Sequence, residues 1–97
     1  MTGRIEQIMR RAGPPEWIVI YPDAESIWRY AIYHTREIAD GRLDVGSAAT
    51  PQIARHVGEA LLREICNRFY PSMTPTVDWK AADDKGMITG HVHTASS

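Results

Sequence analysis

A small α+β domain is the fold class this sequence predicts, with elements in the order α-β-α-α-β-β and three amphipathic helices packed on a small antiparallel sheet. Three observations carry that expectation. Glutamate precedes arginine by four residues in Glu6/Arg10, Glu25/Arg29, Glu59/Arg63 and Glu64/Arg68, the order and spacing that support a helix turn. Residues 17–21 (WIVIY) form a short run of β-favouring types closed by Pro22-Asp23. The last third alternates apolar and polar residues on either side of Asp83-Asp84-Lys85-Gly86, a turn composition that predicts a hairpin.

The first helix is expected over residues 2–12. Ile5, Ile8, Met9 and Ala12 share one face, and Gly13-Pro14-Pro15 stops it. The run at 17–21, apolar at every position, suits a strand covered on both faces. Residues 24–40 contain many aromatic and β-branched types, yet a helical projection gathers Ile27, Trp28, Ala31, Ile32, Thr35, Ile38 and Ala39 into one arc. With Asp23 as N-cap and Gly41 as C-cap, the reading is a helix.

Gly41 to Ala49 is expected as a loop with a short extended piece at 43–45. Thr50-Pro51 opens the third helix, threonine capping and proline at the first position, and Pro71 closes it after Tyr70. Its apolar stripe is Ile53, Ala54, Val57, Leu61, Leu62, Ile65 and Phe69, with Gly58 inside it as a close-packing point or a break. In the hairpin, Val77, Trp79 and Ala81 alternate with Thr76, Asp78 and Lys80, and Ile88, Gly90 and Val92 share the return strand's face. Residues 94–97 read as a polar, disordered tail of one domain spanning 1–97.

The net charge of −1 gives no basic field for nucleic acid or anionic lipid. No apolar run reaches membrane-spanning length, and the first residues have no apolar stretch of a secretory signal, so a cytoplasmic protein is expected. One cysteine, Cys66, fits a reducing compartment. The excess of arginine over lysine points to a GC-rich bacterial or phage genome.

Chemistry-bearing motifs are sparse. His91 and His93 share a strand face, but two imidazoles are too few for zinc unless His34, His56 or Asp84 supplies a third ligand. Cys66 has no neighbouring base in the sequence and reads as filler on the edge of the long helix's apolar face. No nucleophile, phosphate or metal motif is present, so no catalytic residue, metal or cofactor is expected. The expected activity is that of a non-enzymatic accessory or regulatory protein, phage or mobile-element encoded, working by protein–protein contact. Its contact face is the polar side of the helix at 24–40, with Arg29, Tyr30, Tyr33, Arg36 and Glu37, a composition typical of interface hot spots. The partner is another protein, a second copy included. Glu64 and Arg68, which project into the apolar arc of their helix, mark either a solvated edge or a second interface.

The element order is also that of a winged helix. Ile38-Ala-Asp-Gly41-Arg-Leu43-Asp-Val-Gly46 is similar to the IxxGxLxxG signature of GntR-type repressors, and Ile53-Ala54-Arg-His-Val57-Gly58 to the helix-turn start that follows it there. The resemblance covers about a fifth of the chain and implies a DNA-binding regulator holding phosphates with Arg42, Arg55 and Arg63. After Gly58 the sequence departs from that pattern: Glu59-Ala60-Leu61-Leu62-Arg63-Glu64 brings acids where a recognition helix carries donors.

Overall fold

The computed structural model describes residues 11–46 and 48–96, and the fold it shows is mostly β. Five strands form one antiparallel sheet: β1 (Pro15–Pro22), β2 (Trp28–His34), β3 (Ile38–Arg42), β4 (Met73–Trp79) and β5 (Ile88–Ser96). A single long helix, α1 (Pro51–Phe69), lies between β3 and β4 in the chain. The strand order is β3-β2-β1-β5-β4, so the meander β1-β2-β3 and the hairpin β4-β5 join where β5 returns beside β1. This corrects the expectation of three helices on a small sheet. Arg11 and Ala12 are helical, and the rest of the helix expected at 2–12 lies outside the described residues.

The largest correction falls on residues 24–40, which extend instead of coiling. β2 pairs with β1 from Pro22↔Trp28 to Trp17↔Tyr33, and with β3 from Arg29↔Arg42 to Tyr33↔Ile38. The residue types suit the paired strand: Trp28, Tyr30, Ile32 and His34 alternate inward at the strand period, and branched and aromatic side chains fit a pleated surface better than a helix. Asp23 still satisfies backbone donors, but of a turn. Its Oδ1 accepts from the N–H of Glu25 (2.8 Å) and of Ile27 (3.0 Å), and Ser26 sits at φ 63°. Gly41 ends no helix; it lies in β3, where the Tyr30 ring covers it so closely that a Cβ would meet the ring hydroxyl at 3.0 Å.

The second hairpin turn repeats that chemistry. Asp83 Oδ1 accepts from Lys85 and Met87, both at 2.9 Å, and Gly86 takes the left-handed position at φ 82°. β5 then runs on past its expected end, with Thr94↔Pro75 and Ala95↔Thr74 in register. Residues 94–96 of the expected disordered tail therefore complete the ladder, and Ser97 lies outside the described residues.

α1 begins where Thr50 and Pro51 predict, the Thr50 hydroxyl accepting from Ile53 N–H at 3.2 Å. It is unbroken through Gly58. Its buried line is Ala54, Gly58, Leu62 and Cys66, while Ile53 is 49% exposed. The most buried line thus combines Leu62 with small residues that let the helix axis approach the sheet, and Val57, Leu61 and Ile65 pack against the core beside it. Gly58 is the close-packing point: Ile18, Ile20 and Trp79 come within 3.4–3.7 Å of where its Cβ would stand. The helix packs over β1 and β4, and Trp79 Nε1 donates to Glu59 Oε1 at 2.9 Å. Beneath it lie Ile18, Ile20, Trp28, Ile32, Leu43, Ile88 and Val92, the core of the protein.

Candidate interaction surface

Among the described residues one long helix covers one side of the sheet, and because strand side chains alternate, the second face remains to be accounted for. That face carries the odd-numbered residues of β1, β2 and β5 and the even-numbered ones of β3 and β4. The register places them in rows across the sheet. One row reads Ile38, Tyr33, Trp17, His91, Asp78. The next reads Asp40, Ala31, Val19, Thr89, and ends on Lys80, whose N–H donates to the Thr89 carbonyl at 2.9 Å.

The first row holds apolar and aromatic groups in water. Ile38 is 61% exposed, Tyr33 39% and Trp17 36%, and Met87, at the same parity just before β5, is 38% exposed. Ile53 on α1 is the remaining large apolar residue so exposed among the described residues, so the exposed apolar groups concentrate on the uncovered face. The rings touch one another. Trp17 and His91 have centroids 4.5 Å apart, His91 and His93 4.2 Å, and the Lys80 ammonium stands 5.4 Å from the Trp17 ring centroid. At the end of β2, Arg29 Nε donates to Asp23 Oδ2 at 2.8 Å, and this bond holds the Asp23 carboxyl below the usual carboxylate range, helped by the Ile27 N–H.

The strand geometry divides the residues expected to form one contact face. Arg29 and Tyr33 do lie on the uncovered face. Tyr30 points to the other side, half-buried against Gly41, and Arg36 and Glu37 are exposed in the β2–β3 turn. The face as expected on a helix does not exist. Trp17, Ile38 and His91 belong to the surface and were missed; the 17–21 run looked apolar throughout, although its odd positions face outward.

Glu64 and Arg68 are both exposed on α1, so neither charge is desolvated in the core, and the Arg68 guanidinium lies 5.2 Å from the Phe69 ring centroid. Glu64 also borders a cleft of about 390 Å³ with Tyr30, Arg42, Leu43, Val57 and Leu61. Arg42, Arg55 and Arg63 line three separate clefts and form no common basic surface. The winged-helix expectation fails on the same ground as the fold: the segment similar to a helix-turn start opens one continuous helix, and the IxxGxLxxG segment is β3 with the loop after it.

His34, one of the three residues named as a source of a third ligand, is buried on the helix side, with Nδ1 donating to the Gly13 carbonyl at 2.8 Å. His91 and His93 lie on the opposite face, and no group of three metal-binding side chains occurs among the described residues. Cys66 is fully buried rather than marginal, and burial pushes its thiol pKa up, away from nucleophilic use. No described helix is long and apolar enough to cross a membrane.

What the fold and surface define, among the described residues, is a domain of one long helix on a five-stranded antiparallel sheet with an aromatic sheet face exposed. No family model, curated protein or solved structure matches this chain significantly.

Proposed function

We propose that this chain is a non-enzymatic accessory or regulatory protein that works by protein–protein contact through the uncovered face of its sheet. The observation that carries this reading is the row Ile38-Tyr33-Trp17, exposed side by side on one face of the sheet, with the half-buried His91 ring against Trp17. Exposed apolar residues scattered singly need no explanation, whereas a contiguous patch rimmed by charge is what binding surfaces look like. Here Arg29, Arg42, Asp40, Asp78 and Lys80 supply the rim. Tryptophan and tyrosine add large, rigid contact area at small entropic cost. The free, buried thiol fits work in a reducing compartment such as the cytoplasm.

A photo-crosslinking aromatic amino acid in place of Tyr33 tests the reading in extract of the source cells. Protein adducts should form from that position and not from the same group at Gln52, exposed at the start of α1. Equal adducts from both positions, or none from the sheet face, would refute it.

A further inference from the structure

We infer that the partner on this face is a second copy of the chain, docked sheet to sheet about a two-fold axis that runs along β1. The inference rests on the uncovered face being a contact surface and names its occupant.

Charge placement carries the argument. In the row Asp40-Ala31-Val19-Thr89-Lys80 the two charged residues stand at opposite ends, Asp40 on the outermost strand β3 and Lys80 directly after the outermost strand β4, from where its side chain reaches in toward the Trp17 ring; the residues between are smaller. A two-fold axis along the central strand exchanges the β3 side of one copy with the β4 side of the other while keeping each row at its own height. Each Asp40 carboxylate then meets the partner's Lys80, twice per dimer. In the neighbouring row Trp17 meets the partner's Trp17 on the axis, Tyr33 lies over the partner's His91, and Ile38 falls opposite the partner's Asp78 at the rim, so this row contributes aromatic contact at its centre and no charge pair. An axis perpendicular to the strands keeps β3 over β3 and β4 over β4, and sets Asp40 and Lys80 on the same edges as their own kind. The observed distribution favours the first arrangement, an isologous contact that closes at two copies.

Size agrees with this. Five strands at about 4.8 Å spacing and about seven residues at about 3.3 Å rise present a face of roughly 550 Å². Two such faces bury about 1,100 Å², just above the roughly 1,000 Å² of a specific interface. Aligned packing of two sheets is an established way of making a core from inner faces about 10 Å apart. A small interface of this kind gives a modest, concentration-dependent dimer.

Sedimentation of the purified full chain up to roughly 100 μM tests it. The native protein should pass from monomer to dimer in that range. Asp40→Lys and Lys80→Asp should each weaken self-association about tenfold or more, because like charges then face each other. Mixed in equal amounts, the two variants should associate with each other, since one chain then carries both bases and the other both acids. The double variant should recover self-association. Both positions are exposed, so thermal melting should show all variants folded. A native chain that stays monomeric, a dimer indifferent to the single substitutions, or variants that do not rescue one another would overturn the inference. If the pure chain is monomeric while position 33 still cross-links to other proteins in extract, the contact-surface reading stands and only the identity of the partner falls.

Discussion

At the scale of single residues, the two hairpin turns form a natural comparison. Asp23 and Asp83 make the same pair of side-chain bonds to the backbone two and four residues on, and each turn needs one left-handed residue three positions after its aspartate. Gly86 meets that need without steric conflict; Ser26 does not, since its Cβ approaches the following carbonyl oxygen in that conformation. Ser26→Gly should therefore stabilise the protein by about 1 kcal/mol, net of the extra freedom glycine gives the unfolded chain. Urea unfolding of the two proteins side by side would show the midpoint move upward. A midpoint that falls would mean the serine hydroxyl provides a compensating interaction.

At the scale of elements, two glycines on facing surfaces have opposite tolerance. Gly58 sits in α1 above Ile18 and Ile20, and an added Cβ would meet its nearest neighbour, Ile18 Cδ1, at 3.4 Å, an ordinary contact. Gly58→Ala should gain up to about 1 kcal/mol from helix propensity. Gly90 sits in β5 under Val77 and Trp79, where a Cβ would stand 2.5 Å from Val77 Cγ1 and 2.8 Å from the indole. Gly90→Ala should destabilise by about 1–3 kcal/mol, because it overpacks side chains that hold the helix to the sheet. Thermal melts of the two variants moving in the same direction would contradict this account of the contact.

The same elements show what was legible in the residues and what was not. The start of α1 at Thr50-Pro51, the strand at Trp17–Tyr21 and the Asp83–Gly86 turn can each be read from local chemistry, because a cap, a β-rich run and a turn act over a few residues. Residues 24–40 could not be assigned by a helical projection, since Ile27, Ala31 and Thr35 lie at spacings that also occur in two short strands with a turn between them. What holds β2 extended is its pairing with β1 and β3, a relation between distant residues that a local pattern does not contain. Glu25 and Arg29 share the same ambiguity: their spacing suits a helix, but Arg29 bonds to Asp23 across the turn. The exposed aromatic face was hidden for that reason. Tyr33 and Arg29 were singled out on a face that does not exist, and Trp17, Ile38 and His91 join them only through sheet register.

At the scale of the whole molecule, three titrating groups give stability a defined pH dependence. Asp23 ionises more readily folded than unfolded, chiefly because Arg29 bonds to it, so its contribution is present above the unfolded pKa and is lost as pH falls through the folded one. Cys66 and Tyr70 have folded pKa values raised by burial, with the charge on Cys66 adding to the effect at Tyr70. Their contribution is fully present below the unfolded values and is lost as pH rises toward the folded ones. Denaturation midpoints should therefore be flat near neutrality and fall on both sides. Cys66→Ala should soften the alkaline fall, and an unchanged alkaline limb would show that ionisation of the thiol plays no part in it.

Pro75 lies in β4, an outermost strand, paired to Thr94. It has no N–H to offer an incoming chain, so that border is a poor template for adding strands. Growth by lateral stacking into fibres is therefore discouraged along that border.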